Sequence, residues 1–158
     1  MHKITPFLWF DSQAEEAMLF YAGIFKNSKI GSVSRWGEGG PQPKGTVMSA
    51  TFQLEGQDFM ALNAGPKYSF TPAISLFVNC ESQAEVDELW EKLSAGGRKD
   101  RCGWLTDKYG LSWQIIPRVL GELLGSKEPG TSARVMQAML KMDKIDIQAL
   151  RQAALPPA

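Results

Sequence analysis

The same pattern of apolar and polar positions occurs twice along the chain. Residues 4–24 read ITPFLWFDSQAEEAMLFYAGI, and residues 74–94 read ISLFVNCESQAEVDELWEKLS. In both copies a short apolar run precedes apolar residues at helical spacing, which predicts a strand followed by an amphipathic helix. The duplication indicates two strand–helix modules related by pseudo-symmetry, and it favours a ligand site where the modules meet.

Each predicted helix opens on the sequence Ser-Gln-Ala-Glu, which begins at Ser12 and at Ser82. This is a capping box, in which the serine and glutamate side chains bond free backbone N–H groups of the first helical turn. The preceding run over residues 3–10 is nearly continuous in apolar residues, and over residues 4–10 both alternating sets of positions are apolar. That run predicts a strand covered on both faces, and it leaves open which face lines a site.

Further strands and helices are predicted along the rest of the chain. Three strands follow the first helix, at about residues 29–36, 46–55 and 57–64, with Glu55–Gly56 as the turn between the last two. The second copy has a strand over 73–80, a helix over 82–95 and a shorter segment that ends at Pro117. Three short helices are predicted after it, at 118–125, 131–142 and 146–154.

We expect a single domain over residues 1–158, which is an ordinary length for one hydrophobic core. Its parts are module one, a linker, module two and the C-terminal helices, at residues 3–64, 65–72, 73–117 and 118–158. The last helices carry a Met-rich apolar face, which is typical of core or dimer packing.

Charge and composition narrow the class of partner. The chain has 17 basic and 17 acidic residues, so no electrostatic surface points to nucleic acid or an anionic membrane. No apolar run reaches the roughly 18 residues that cross a bilayer, and the first residues lack a signal-peptide pattern. Cys80 and Cys102 are too few for a disulfide framework. We therefore expect a cytoplasmic protein whose partner is a small-molecule ligand.

Five segments together resemble one known group of proteins. They are ITPFLWFDSQAEEAMLFY, FMALNAGP, ISLFVNC, CGWLTDKYGLSWQIIP and VMQAMLKMDKIDI. Over essentially its whole length the chain resembles the PhnB-like group of the vicinal oxygen chelate superfamily, also called the glyoxalase/bleomycin-resistance/dioxygenase fold. Many members are labelled 3-demethylubiquinone-9 3-methyltransferase. The resemblance implies an α+β fold in which two βαβββ modules form a curved mixed-sheet cup, with C-terminal helices, within a homodimer.

The resemblance also implies where a metal ion would bind. Metal-dependent members hold a divalent cation through His, Gln or Glu side chains on the first and last strands of each module. In this chain the matching positions fall within Ile4–Pro6 and Ile74–Leu76 and at Met60 and Gln114. The one histidine, His2, precedes the first strand and is interpreted as a solvated terminal residue. Because one amide cannot replace three or four ligands, we expect no metal site and no cofactor.

Six residues are the candidate ligand-binding positions: Gln114, Asn63, Asn79, Trp9, Trp104 and Tyr68. A strand glutamine that points into a cup presents a donor and an acceptor to a ligand, although a core glutamine bonded to backbone fits the same pattern. The asparagines lie at or near strand ends, where such side chains meet a ligand or cap a turn. The aromatic residues offer ligand-binding surface, which is otherwise typical of core packing.

The leading hypothesis is metal-independent binding, with or without conversion, of a small apolar or aromatic molecule in the cup between the modules. Two alternatives stay open: a metal-dependent lyase, isomerase or dioxygenase that uses Gln114, and a methyltransferase as the family label indicates. No strand leads into a Gly-rich turn that opens a helix, and the Gly-rich segment 37–45 lacks phosphate-loop spacing. A further alternative makes residues 118–158 a partner-docking arm. The sequence leaves the ligand's identity open.

Overall fold

The computed structural model describes residues 2–158 of the chain. The chain divides into two compact units, of which the first ends at Phe70 and the second runs from Thr71 to Ala158. Each unit is built around one four-stranded mixed sheet. Within the described residues, none of the helices has the length and apolar character needed to cross a membrane.

Residues 2–70 contain four strands and one helix. In chain order they are β1 (Phe7–Phe10), α1 (Ala14–Ile24), β2 (Ser28–Arg35), β3 (Val47–Leu54) and β4 (Gln57–Asn63). Across the sheet the order is β1-β4-β3-β2, with β1 parallel to β4 and the other neighbours antiparallel. The three strands predicted after the helix are confirmed, each boundary lying within about one residue of the prediction.

The turn between β3 and β4 is the predicted one. Glu55 and Gly56 both have positive φ, +48° and +82°. Two successive residues with positive φ form the hairpin turn that matches the right-handed twist of the strands it joins. Glycine adopts this conformation without steric cost, so of the two turn residues only Glu55 is strained.

Strand β1 has one buried and one open face. Leu8 and Phe10 are buried, whereas Phe7 is 53% exposed and Trp9 is half-buried. The prediction that both faces of this strand are covered is therefore wrong for the single chain. A sheet that carries its helix on one side keeps its other face open, and the apolar run alone does not distinguish the two cases. The strand is also shorter than predicted, because Ile4 lies before it and is 86% exposed.

The second unit repeats this sheet order and adds three helices. Its elements are β5 (Ser75–Cys80), α2 (Gln83–Ser94), β6 (Arg98–Lys99), β7 (Trp104–Thr106), β8 (Ser112–Pro117), α3 (Arg118–Leu124), α4 (Thr131–Met139) and α5 (Ile147–Ala154). The strand order is β5-β8-β7-β6, with β5 parallel to β8. The predicted α+β fold class, with two mixed sheets and C-terminal helices, is confirmed.

The C-terminal helices pack into the core of the second unit. Val135, Ile145 and Leu150 are fully buried and join Ile116 of β8 in one apolar cluster. The side chain of Gln83 on α2 fastens this region, since its amide donates to the Ile145 carbonyl at 3.0 Å and accepts from the backbone N–H of Ile147 at 2.8 Å. These contacts make the helices part of the fold of the second unit.

The two helices that share the Ser-Gln-Ala-Glu sequence begin in different ways. Ser82 caps α2, and its hydroxyl accepts from the backbone N–H of Glu85 at 3.2 Å, as predicted. Ser12 does not cap α1: Gln13 holds the capping position and makes no side-chain capping bond. The predicted capping box at Ser12 is therefore wrong, and Glu15 instead reaches Arg35 on β2 at 3.5 Å.

Candidate functional site

One row of three side chains crosses the second sheet. In the register of the sheet, Gln114 on β8 lies directly between Phe77 on β5 and Trp104 on β7. The residues that alternate with them, Leu105 and Trp113, are buried. Since successive strand residues point to opposite faces, the row lies on the face away from that buried layer. Phe77 is 55% exposed, and Gln114 and Trp104 are half-buried.

Gln114 keeps hydrogen-bonding groups for a ligand. Its amide nitrogen donates to the hydroxyl of Ser75 at 2.9 Å. Within residues 2–158 its amide oxygen has no hydrogen-bond partner. An amide oxygen carries two lone pairs, so it can accept from a hydroxyl or amine group of a bound molecule.

At one end of the open face of the second sheet, the C-terminal helices pack against β8. Asn79 is exposed and lies two residues beyond Phe77 on the same face of β5. Its neighbour across the sheet is Ile116, which is 7% exposed because it belongs to the cluster of the C-terminal helices. The open face therefore carries a polar side chain, Asn79, beside an apolar wall.

The opposite edge of the second sheet is charged. Arg98 on β6 donates from its Nε to a carboxylate oxygen of Asp100 at 2.8 Å, and this bond raises the pKa of Arg98. The hydroxyl of Thr106, which pairs with Arg98 across the strands, bonds the other carboxylate oxygen at 3.4 Å. The ion pair satisfies both charges, so this edge supplies polar surface around the aromatic row.

The first sheet carries a corresponding row that lacks the amide. Met60 on β4 lies between Phe7 on β1 and Thr51 on β3. Met60 thus holds the register position that Gln114 holds in the second sheet. The open face of the first sheet is therefore apolar where that of the second sheet is polar.

The structure brings together two of the predicted ligand residues in the first unit. The ring of Tyr68 meets Trp9 edge to face, with ring centroids 5.0 Å apart. Trp9 is oriented by a hydrogen bond from its indole N–H to the carbonyl of Gly65 at 2.9 Å. Tyr68 is 57% exposed, and the ammonium of Lys67 lies 5.4 Å from its ring centroid. The pair forms an exposed aromatic corner beside β1.

The contacts of Asn63 give it a structural role in place of the ligand-binding one that its sequence position indicated. Asn63 is 6% exposed. Its amide oxygen accepts from the backbone N–H of Ala14 at 2.8 Å, and its amide nitrogen donates to the carbonyl of Val47 at 3.0 Å. The side chain thus caps α1 from β4 and ties β3 to both elements.

A histidine–carboxylate pair was missed by the sequence interpretation. His2 is largely exposed, but its Nδ1 lies 2.9 Å from a carboxylate oxygen of Asp58. The other oxygen of Asp58 accepts from the amide of Gln53 at 2.8 Å. This bond from Gln53, followed by those from His2, holds the pKa of Asp58 below its usual value. Alternation along β4 places Asp58 on the face of Met60, but no local signal connects it to His2.

The side chains of the described residues do not fit a resident divalent cation. Within residues 2–158, no three His, Cys, Asp or Glu side chains lie close enough together to hold a metal ion. The positions that the resemblance indicated, within Ile4–Pro6 and Ile74–Leu76 and at Met60 and Gln114, offer apolar groups, the hydroxyls of Thr5 and Ser75 and one amide. Structural and catalytic zinc sites use at least three protein ligands.

The thiol of Cys80 is not a nucleophile candidate. Cys80 is fully buried, and burial, followed by the nearby Glu85 and Glu81, raises its pKa to about 12. Cys102 is half-buried, and its Sγ lies 3.6 Å from the carbonyl oxygen of Met139. Since the thiolate is the reactive form, Cys80 remains inert at neutral pH.

Comparisons with known proteins agree with this architecture. The model of the 3-demethylubiquinone-9 3-methyltransferase family matches residues 2–116. A PhnB protein from Bacillus cereus, provisionally described as a 3-demethylubiquinone-9 3-methyltransferase, is 44% identical, covers 73% of this chain and 99% of its own, and has a TM-score of 0.69. A comparison with curated proteins gives no match.

Two more distant solved structures share the fold. Protein PA1353 from Pseudomonas aeruginosa is 22% identical, covers 74% of this chain and 98% of its own, and has a TM-score of 0.63. The fosfomycin resistance protein FosX from Listeria monocytogenes is 17% identical, covers 77% of this chain and 97% of its own, and has a TM-score of 0.51. With the family match over most of its length, the chain belongs to the 3-demethylubiquinone-9 3-methyltransferase family, and it is similar over most of its length to a PhnB protein.

Proposed function

We propose that this protein binds a small apolar or aromatic molecule against the open faces of its sheets, without a metal ion. The row of Phe77, Gln114 and Trp104 carries the proposal. Ligand sites combine apolar and aromatic walls with a few polar groups that fix orientation, and this row has that composition. The location of the ligand between the two modules remains the prediction made from the sequence.

The hydrogen bonding of the Gln114 side chain indicates which functional groups a ligand should carry. One of its two amide N–H groups donates to Ser75, which leaves the other N–H as a donor and the oxygen as an acceptor for a ligand. A bound aromatic molecule therefore gains most from a hydroxyl or amine group, which donates to that oxygen. A molecule that carries only acceptors gains less, since it can use only the second N–H of the amide and not its oxygen.

Metal independence is the second part of the proposal. It is supported by the donor set at the matching positions, where Met60 and Gln114 face solvent beside Phe7 and Phe77. Neither row contains a side chain that ionises at neutral pH to give a strong metal ligand. Binding should therefore survive complete removal of divalent cations.

The test replaces the polar side chain at the centre of the second sheet by the apolar one found at the same position of the first sheet. A panel of phenols, anilines and unsubstituted aromatic molecules is screened by thermal shift, and the tightest ligand is titrated by calorimetry. Gln114→Met, which installs the residue found at the same register position in the first sheet, should weaken binding of a phenol about tenfold. Gln137→Met, at an exposed position on α4, is the matched control and should leave the affinity unchanged. Equal affinities for the wild type and Gln114→Met would contradict the proposal.

The family description favours methyl transfer to a quinone-like acceptor as a second candidate function. The connections from β1 to α1 and from β5 to α2 contain no glycine, whereas dinucleotide-type cofactor sites use a Gly-rich turn there. Calorimetry with S-adenosylmethionine separates the two functions. Saturable heat at millimolar cofactor supports methyl transfer, and its absence leaves simple binding as the function.

We further propose that both units belong to one domain over residues 1–158 and that the chain forms a homodimer in the cytoplasm. Ile4, Ile74 and Phe77 are more than half exposed, and exposed apolar surface favours association. Both cysteines are free, which is consistent with a reducing compartment. Light scattering after gel filtration should give twice the 17.5 kDa of one chain. The mass of a single chain would contradict the dimer.

A further inference from the structure

We propose that His2 and Asp58 form a proton-transfer pair on the open face of the first sheet, and that His2 takes the proton from a phenol-type hydroxyl of an aromatic ligand. The proposal rests on the proposed function for the class of ligand. The pair itself rests on contacts within the first unit.

Asp58 is held as a carboxylate by three hydrogen-bond donors. Its Oδ1 accepts from the amide of Gln53 at 2.8 Å, and its Oδ2 accepts from the backbone N–H of His2 at 2.9 Å. The imidazole Nδ1 of His2 lies 2.9 Å from the same Oδ2. Asp58 itself is only 8% exposed. Hydrogen bonds from several donors stabilise the ionised form of a carboxyl group.

The carboxylate fixes the tautomer of the neutral imidazole. An ionised carboxylate only accepts hydrogen bonds, so the Nδ1 of His2 must carry the proton that faces Asp58. The Nε2 of His2 is then left with its lone pair. The side chain of His2 is 62% exposed, which leaves this nitrogen accessible to a ligand. The arrangement is that of an oriented general base.

The pair borders the apolar part of the open face. Asp58 and Met60 lie two residues apart on β4 and therefore on one face, at a spacing of roughly 6.6–6.8 Å. Met60 is adjacent to Phe7 in the register, and Trp9 follows on the same face of β1. An aromatic molecule that packs on Phe7 and Met60 can thus place a hydroxyl group at His2.

The step is a proton transfer without a change in oxidation state. The O–H bond of the phenol breaks as the N–H bond to Nε2 of His2 forms, and the electron pair stays on the phenolate oxygen. The resulting imidazolium lies against the negative charge of Asp58, which stabilises the ion pair. Asp58 is a positioning residue, since it acts through His2.

The first test needs no ligand. The chain contains one histidine, so nitrogen-15 NMR of the imidazole gives one pair of signals. The neutral ring should carry its proton on Nδ1 in the wild type, and Asp58→Ala, which removes the acceptor, should return it to the Nε2–H tautomer that free histidine prefers. Lys3→Gln removes a neighbouring charge and should leave the tautomer unchanged. An Nε2–H tautomer in the wild type would overturn the proposal.

The second test measures the transfer itself with two probes, 4-nitrophenol and nitrobenzene. At the pH where 4-nitrophenol is half ionised, the wild type should raise the visible absorbance of the nitrophenolate, and His2→Gln should abolish that rise. Nitrobenzene, which has no proton to give, should bind the wild type and His2→Gln equally. Failure of both probes to bind overturns the proposed function. Binding of nitrobenzene without a rise in nitrophenolate overturns the proton-transfer pair alone.

Discussion

The two modules begin their helices with the same four residues but cap them differently. In the second module Ser82 caps α2 with its own hydroxyl, 3.2 Å from the backbone nitrogen of Glu85. In the first module the N–H of Ala14 bonds the side chain of Asn63, which comes from β4. The local sequence is the same, so the difference must come from the neighbouring strand.

The register of the sheets supplies the reason. The last residue of β1 pairs with Asn63, and the last residue of β5 pairs with Pro117. Asn63 and Pro117 thus hold corresponding positions next to the start of each helix. Asparagine offers an acceptor there, whereas the proline side chain has none. A local capping motif is used where the sheet offers no acceptor and is left unused where it does.

Substitution of Asn63 should give the largest difference in stability between the two modules. Asn63→Ala leaves the Ala14 N–H and the Val47 carbonyl buried without their partner, which should lower the free energy of unfolding by about 3 kcal/mol. Urea unfolding followed by circular dichroism measures the change. Asn79→Ala, the same substitution at an exposed position in the second module, is the matched control and should change stability by less than about 0.5 kcal/mol. Equal losses in the two variants would contradict the capping role.

The second largest difference between the modules is expected in ligand affinity, when the residue at the centre of each open face is substituted. Gln114→Met should weaken binding of a phenol about tenfold, because the ligand loses its acceptor. Met60→Leu, at the corresponding position of the first sheet, keeps the site apolar and should change the affinity less than about twofold. Calorimetric titration of both variants measures the contrast. A larger effect at Met60 would contradict the role of Gln114 as the acceptor for the ligand.

The two serines should give a smaller difference in stability. Ser82→Ala removes the cap of α2 and should cost about 1 kcal/mol. Ser12→Ala removes no capping bond and should cost less than about 0.5 kcal/mol. Thermal unfolding of the two variants under one set of conditions measures the contrast. Equal shifts of the unfolding temperature would show that Ser12 also caps its helix.

The pH dependence of stability should show the smallest contrast between the modules. Asp58 has a lowered pKa, so its stabilising bonds are complete above its ordinary value of 3.8 and are lost as pH falls through the lowered value. Ser112 holds the corresponding position on β8 and does not titrate. Asp58→Asn should therefore flatten the fall in stability below pH 3.8. Unfolding curves of the wild type and variant across acid pH measure this, and parallel curves would refute it.

The sequence predicted the parts of the fold that depend on local patterns. Strand and helix boundaries, the Glu55–Gly56 turn and the cap at Ser82 follow from periodicity, turn chemistry and capping within a few residues. The repeat also placed Met60 and Gln114 at equivalent strand positions, which the register confirms.

What the sequence did not reveal depends on contacts between residues far apart in the chain. Asn63 lies 49 residues from Ala14, and Asp58 lies 56 residues from His2, so no local pattern connects either pair. The open face of β1 was also undetermined, because every residue of that strand is apolar and alternation carries no signal there.

The most direct test of the central claim is a calorimetric titration of protein stripped of metal. The wild type is treated with a strong chelator, its metal content is checked by elemental analysis, and the tightest aromatic ligand from the screen is added. The account predicts saturable binding with the same affinity before and after stripping. Binding that disappears on stripping and returns with one defined divalent metal would contradict it.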